Sequence, residues 1–245
     1  MKKWMGLGMS ALLLIAALTG CGTTQQETAS NEISASQTDS HYPVTVESYN
    51  YAGDVITTTY EKAPERVIAV YQGSIETMLA LGLEEHVVAS YGLDNAVKEE
   101  WEDGLSKMNY HEDVFAPSKE DVMMLEPDMI FRWGSLFGEK KLGDVDQWIS
   151  RGTNTYINTN TRAGGYDRTL EHEYKDILNI GNIFDVEEKA QALVDEMKQE
   201  IQDALAKTKG KEAQTVSVIE FLNDDISNYG ASSLAGDMIT QLGGE

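Results

Sequence analysis

Apolar positions spaced three and four apart run through the stretch from Asp185 to Lys209: Ala190, Leu193, Val194, Met197, Ile201 and Ala204. That is the period of an amphipathic helix. Glu187, Glu188, Lys189, Asp195, Glu196, Lys198, Glu200 and Asp203 form its solvated faces. Asp185, three residues before Glu188, reads as an N-cap with its capping-box partner, and Gly210 reads as the stop after Lys207 and Lys209. About 23 residues rising 1.5 Å each span roughly 34 Å, close to the diameter of a small domain. The pattern predicts a long surface helix or, more sharply, a rigid strut joining two lobes.

Upstream, the period switches repeatedly between strand and helix. Val44, Val46 and Ser48 alternate with Thr45 and Glu47, Ala52-Gly53-Asp54 turns, and Val55 to Tyr60 returns, which predicts a hairpin. Short apolar runs at Arg66–Val70, Val87–Ser90, Met129–Phe131 and Thr155–Ile157 predict four strands. Helices are expected between them, with Ser74 capping one that buries Ile75, Met78 and Leu79, and Ser118 with Asp121 capping another. Asp144 to Ile149 is a further helix, and Thr169 starts one that is interrupted at Gly181-Asn182. The acidic stretch from Lys98 to Asp113 reads as exposed. Beyond the long helix, Val216–Ile219 is one more strand and Leu234–Leu242 one more helix. Strands alternating with helices imply a mainly parallel sheet covered on both faces. Ligands of such sheets sit at the carboxyl ends of the strands, so the loops after the strands are the candidate site.

The amino terminus follows another logic. Lys2 and Lys3, an apolar run from Met5 to Ala17 and small residues beyond it make residues 1–20 a secretory signal peptide. Leu18-Thr19-Gly20-Cys21 resembles the bacterial lipobox, which implies that Cys21 is lipidated and becomes the mature first residue. Residues 21–41, mostly Thr, Gln, Ser, Ala and Glu, are a polar tether. The expected location is extracytoplasmic, anchored to the cell membrane. A balance of 19 basic against 41 acidic residues, net −22, argues against nucleic acid as a partner. Cys21 is the single cysteine, which excludes an internal disulfide or a CxxC metal site.

Catalytic motifs are missing. His172-Glu173-Tyr174-Lys175-Asp176 begins like a zinc-protease motif but has Asp176 where the second histidine belongs. Gly134–Gly143 lacks Walker A spacing, Gly230-Ala231-Ser232 lacks the last glycine of a nucleophile elbow, and no GxGxxG follows a strand. The expectation is a protein that is not an enzyme. One positive feature stands out in this acidic chain. Between Met129 and Arg168 six basic residues face four acidic ones, and Arg132 and Arg162 fall in two of the predicted strand-end loops. Their planar forks suit a carboxylate or catecholate, donating two bonds at once.

Three phrases carry a resemblance: Pro64-Glu65-Arg66-Val67-Ile68-Ala69-Val70, Glu76-Thr77-Met78-Leu79-Ala80-Leu81-Gly82 and Leu125-Glu126-Pro127-Asp128-Met129-Ile130. They are similar to the amino lobe of bacterial class III substrate-binding proteins, the lipoprotein receptors of iron–siderophore and cobalamin ABC importers. The resemblance implies an α/β fold of two Rossmann-like lobes joined by a long helix: residues 42–184 as the amino-terminal ligand-binding lobe, 185–210 as the interlobe helix and 211–245 as the start of a carboxyl-terminal lobe. That last stretch is too short to bury a core of its own, so the second lobe is expected to be incomplete.

The resemblance further implies a cleft touched by Tyr71, Gln72, Tyr91, Arg132, Trp133, Asn160 and Arg162, with Asn223 or Tyr229 from the far lobe, and Trp133 and the tyrosines packing on a planar ligand group. It implies an ABC permease as partner, with Glu139 as the amino-lobe docking residue. The ligand would be a ferric siderophore, with cobalamin or haem as other large ligands, and no resident cofactor. Two other readings stay open: a zinc or manganese receptor of the other long-helix class, against which the scattered His41, His86, His111 and His172 speak, and a surface hydrolase or adhesin on the same scaffold.

Overall fold

A computed structural model describes residues 41–222 and 225–245. The signal peptide, Cys21, the tether up to Ser40 and Asn223 therefore lie outside the described residues. Strands β1 (Val44–Tyr49) and β2 (Val55–Tyr60) pair antiparallel, Val44 opposite Tyr60, as the alternation predicts. The Ser48 hydroxyl accepts the Ile157 N–H at 3.1 Å and so ties this hairpin to the main sheet.

That sheet is built from β3 (Val67–Val70), β4 (Val87–Tyr91), β5 (Tyr110–His111), β6 (Met129–Arg132) and β7 (Asn154–Ile157). All its pairings are parallel, in the order β5-β4-β3-β6-β7. Helices α1 (Gln72–Ala80), α2 (Glu102–Lys107), α3 (Lys119–Met124), α4 (Val145–Ile149) and α5 (Leu170–Ile183) fall in the connections and after the last strand. The short apolar runs are explained by coverage on both faces. Val67, Ala69, Met129, Phe131 and Tyr156 join one core with Ile75, Met78 and Ile177. Their neighbours Ile68, Val70, Ile130 and Ile157 join a second core with Val122, Val145 and Trp148. The chain steps outward from β3 to β4 and β5, then returns across β3 to lay down β6 and β7. The gap between β3 and β6 is thus the point where the winding reverses.

Helix starts are legible in part. Ser118 and Asp121 form the full capping box of α3, and Asp144 and Thr169 cap α4 and α5. Ser74 does not cap α1, which begins at Gln72 behind Tyr71. The Ser74 hydroxyl is instead drawn inward, where it donates to Asn158 Oδ1 at 2.9 Å. Nor does Gly181 interrupt α5. A Cβ on Gly181 would lie 2.3 Å from the Ala190 Cβ, so the glycine lets α5 and the next helix touch.

The long helix, α6 (Glu187–Thr208), is present with its apolar stripe, but Asp185 is not its cap. Asp185 has φ +57°, the Asp185 N–H reaches the Asn182 carbonyl at 3.5 Å, and the Val186 N–H reaches the Gly181 carbonyl at 2.9 Å. That is a Schellman motif closing α5, with Asp185 in the left-handed position. Only Ala190 and Val194 of α6 are fully buried. The acidic stretch 98–113 is less open than expected, since it folds α2 and β5 and buries Met108 completely. Beyond α6, β8 (Val218–Leu222) pairs antiparallel with β9 (Asp225–Tyr229), a strand the pattern did not predict, and α7 (Leu234–Gln241) follows. Among the described residues no helix is long and apolar enough to cross a membrane.

Candidate functional site

Tyr71 follows β3 at the winding reversal, with φ +78°, a conformation rare outside glycine. Its N–H donates to the Tyr91 carbonyl at 2.8 Å, and its ring packs 4.6 Å from Trp133 and 4.8 Å from Phe115. Backbone strain of this kind costs about 1–3 kcal/mol and gathers at ligand clamps. Gly92 makes the arrangement possible, because a Cβ there would lie 2.8 Å from the Tyr71 ring and 2.4 Å from the Phe115 carbonyl oxygen. Tyr91 ends β4 and stacks on His111 at 4.6 Å. Gln72 Oε1 accepts the N–H groups of Asp94 and Asn95, each at 3.1 Å, so this side chain holds the loop after β4.

Arg132 is not in a loop: it is the last residue of β6, and only 1% of it is exposed. Its Nε and Nη1 are buried without a hydrogen-bond partner, and its guanidinium carbon lies 4.9 Å from the Phe137 ring centre. Burial pulls its pKa down to about 9, with Tyr71 acting the other way, so it stays cationic at neutral pH. An unpaired buried guanidinium is a costly arrangement. Trp133, next in sequence, is 36% exposed beside it.

The end of β7 is a second cluster. The Arg162 guanidinium donates to the Tyr49 hydroxyl at 2.9 Å and lies over the Tyr166 ring at 3.9 Å. The loop passes close to the β6 end, where a Cβ on Gly134 would meet the Thr161 carbonyl oxygen at 2.8 Å. Asn160 is expected to face a ligand, but its side chain is committed elsewhere. Its Nδ2 donates to the Thr169 carbonyl (2.8 Å) and Glu173 (2.6 Å), and its Oδ1 accepts the Thr169 N–H at 3.0 Å and lies 3.0 Å from His172 Nδ1. It fastens the loop to α5. Asp176 helps, accepting the Tyr156 hydroxyl at 2.8 Å, the Thr159 N–H at 2.7 Å and the Thr159 hydroxyl at 2.5 Å. Burial lifts the Asp176 pKa to about 7 in spite of those bonds.

The remaining sequence-predicted residues are apart from these clusters. Glu139 is exposed in the turn closed by the backbone bonds between Gly138 and Gly143, both 2.9 Å. Tyr229 is half-exposed on β9 and its hydroxyl donates to Glu220. The aromatic walls (Tyr49, Phe115, Phe137 and Tyr166) were not picked out by sequence. Phe115 carried a faint signal, as an exposed ring next to a capped helix in a polar stretch. Among the described residues one group of metal-capable side chains converges, His41 with Asp185 and Glu187, away from these loops. What the strand ends offer is a cation without an acceptor beside aromatic faces. That suits a planar anion.

Comparison with known proteins bears on the family and the fold. A family profile described as "Periplasmic binding protein" matches residues 67–245. A Bacillus subtilis protein, the uncharacterized ABC transporter substrate-binding lipoprotein YvrC, is 27% identical over 99% of this chain and 72% of its own length. A solved periplasmic binding protein from Veillonella parvula superposes with a TM-score of 0.77 at 32% identity, over 83% of this chain. The chain spans 65% of that protein's length. The petrobactin-binding protein YclQ from Bacillus subtilis shares the fold at a TM-score of 0.59 and 22% identity, over 82% of this chain and 66% of its own.

Proposed function

The chain belongs to the periplasmic binding protein family, and on that premise we propose that it is the substrate-capturing component of an ABC importer, taking an anionic iron chelate of the siderophore kind. One observation carries the ligand class: the Arg132 guanidinium, buried without a partner at the point where the sheet's winding reverses. A group in that state gains most from a ligand that brings oxygens to it, since charge-assisted bonds form with little water competing. With the guanidinium closed off from solvent in this structure, carboxylate or catecholate oxygens would meet Nε and Nη1 only as the surrounding side chains move aside, and a planar ring would lie against Trp133 and Phe115. The petrobactin-binding relative supports a ferric siderophore as that ligand. The iron then arrives with the cargo and needs no protein ligands.

The test is fluorescence titration of the whole chain with a panel of ferric siderophores. Losing one charge-assisted bond costs about 1.5–3 kcal/mol, so Arg132→Met should weaken the best ligand roughly ten- to a hundredfold. Unchanged affinity in Arg132→Met, with its fold verified by circular dichroism, contradicts the assignment. In the same reading Cys21 carries the lipid anchor outside the cytoplasm and the exposed Glu139 meets the permease. Membrane fractionation of Cys21→Ser and uptake by Glu139→Arg check those two contacts.

A further inference from the structure

We propose that His41, Asp185 and Glu187 form a binding site for a divalent transition-metal cation of the zinc type, which clamps the start of the folded lobe onto the elbow between α5 and α6. The fold brings the three together from separate places. His41 lies three residues before β1, Asp185 occupies the left-handed position of the Schellman motif, and Glu187 opens α6. Their ligand atoms lie within 4.8 Å of one another.

The orientation of His41 points to a ligand role. Its Nε2 is 2.7 Å from the Asn182 carbonyl oxygen, which can only accept, so Nε2 carries the proton. A histidine held through one nitrogen by a backbone carbonyl is left with the other to ligate. That other nitrogen, Nδ1, faces Asp185 Oδ1 at 3.4 Å and Glu187 Oε1 at 3.2 Å. Charge-assisted N–H···O bonds are shorter, about 2.7–2.9 Å. Two donors bound about 2.1 Å from a tetrahedral ion are about 3.4 Å apart. The two spacings from Nδ1 are those of ligands around an ion.

Charge and access agree. Among the described residues neither carboxylate has a lysine or arginine partner, and His41 is the one ion-pair partner of each. The side chains are 19%, 61% and 47% exposed in the order His41, Asp185, Glu187, which leaves a position open to water as the fourth ligand. The Tyr42 hydroxyl donates to the Ile183 carbonyl at 2.8 Å and seats the same segment on the end of α5. The place is distinct from the strand-end loops. Phe184, which ends α5, packs 5.1 Å from His86, and His86 directly precedes β4, at the opposite end of the sheet. The ion would therefore be structural, not cargo.

Isothermal titration of the chelator-stripped chain with zinc chloride, with no siderophore present, tests this. The expected result is one zinc equivalent, weakened at least tenfold in both His41→Ala and Glu187→Gln, with manganese binding more weakly. Zinc at a concentration that saturates the parent should raise the parent's unfolding midpoint and raise those of both variants clearly less. None of the three belongs to either core, and circular dichroism of both variants verifies the fold. Zinc binding that survives His41→Ala overturns the proposal. So does a midpoint that responds to pH through His41 but not to zinc, which would make the group an ordinary ion pair.

Discussion

β3 and β8 look alike as strings of residues. The apolar runs Val67–Val70 and Val216–Ile219 both promise a strand, and both deliver one, the second displaced to Val218–Leu222. Their surroundings differ completely. β3 lies between β4 and β6 with helices over both faces, and every residue is 0% exposed. β8 has one partner, and Phe221 is 70% exposed, with Ile226 of β9 at 66%. The difference teaches that side-chain pattern chooses the local conformation while the neighbouring layers decide whether that conformation is stabilised. A two-stranded hairpin has little to hold it by itself.

The largest expected effect follows from that contrast. Phe131→Ala, in the strand beside β3, should cost about 3–5 kcal/mol, whereas Phe221→Ala should stay within about 0.5 kcal/mol. Denaturant unfolding of both variants measures this, and equal losses would erase the distinction. The second effect is electrostatic, because the lobe buries an ionisable group. The Asp176 pKa of about 7 in the folded chain stands above the ordinary carboxylate value of about 3.9. Between those values the folded state holds a proton that the unfolded state has lost, so this group's contribution to stability falls as pH rises across the window and is flat above it. Glu173, raised by burial as well, acts in the same direction. Urea midpoints from pH 4.5 to 8 should show a shallower fall for Asp176→Asn than for the parent. Identical slopes would mean that burial does not govern this carboxyl. The smallest contrast compares two caps. Ser118 and Ser233 each accept a backbone N–H three residues on. Ser118→Ala should cost about 1 kcal/mol of global stability, while Ser233→Ala should leave the global midpoint in place and loosen only α7, read by amide exchange.

Much of the sheet was legible because a strand covered on both faces must be a short, largely apolar run, and 67–70 and 129–131 are such runs. Asp185 was misread for a definite reason. A D-x-x-E spacing announces an N-cap in sequence, but the same aspartate serves as a left-handed helix end when another helix stops beside it. β5 and Met108 were hidden by acidic neighbours, and β9 by the masking of its apolar residues among Asp225, Ser227 and Asn228. For the site, the expectation of a parallel sheet pointed to the strand ends as the place to look. It did not foretell that Arg132 would be buried without a partner or that Asn160 would be taken up by α5, because both depend on residues distant in sequence.

Gln72 grips the loop after β4 by the amide protons of residues 94 and 95 and not by their side chains. A hold of that kind is indifferent to what Asp94 and Asn95 carry. Substitutions there can accumulate while the path of the loop is inherited intact, so a lineage built on this scaffold is free to try new side chains on an unchanged backbone.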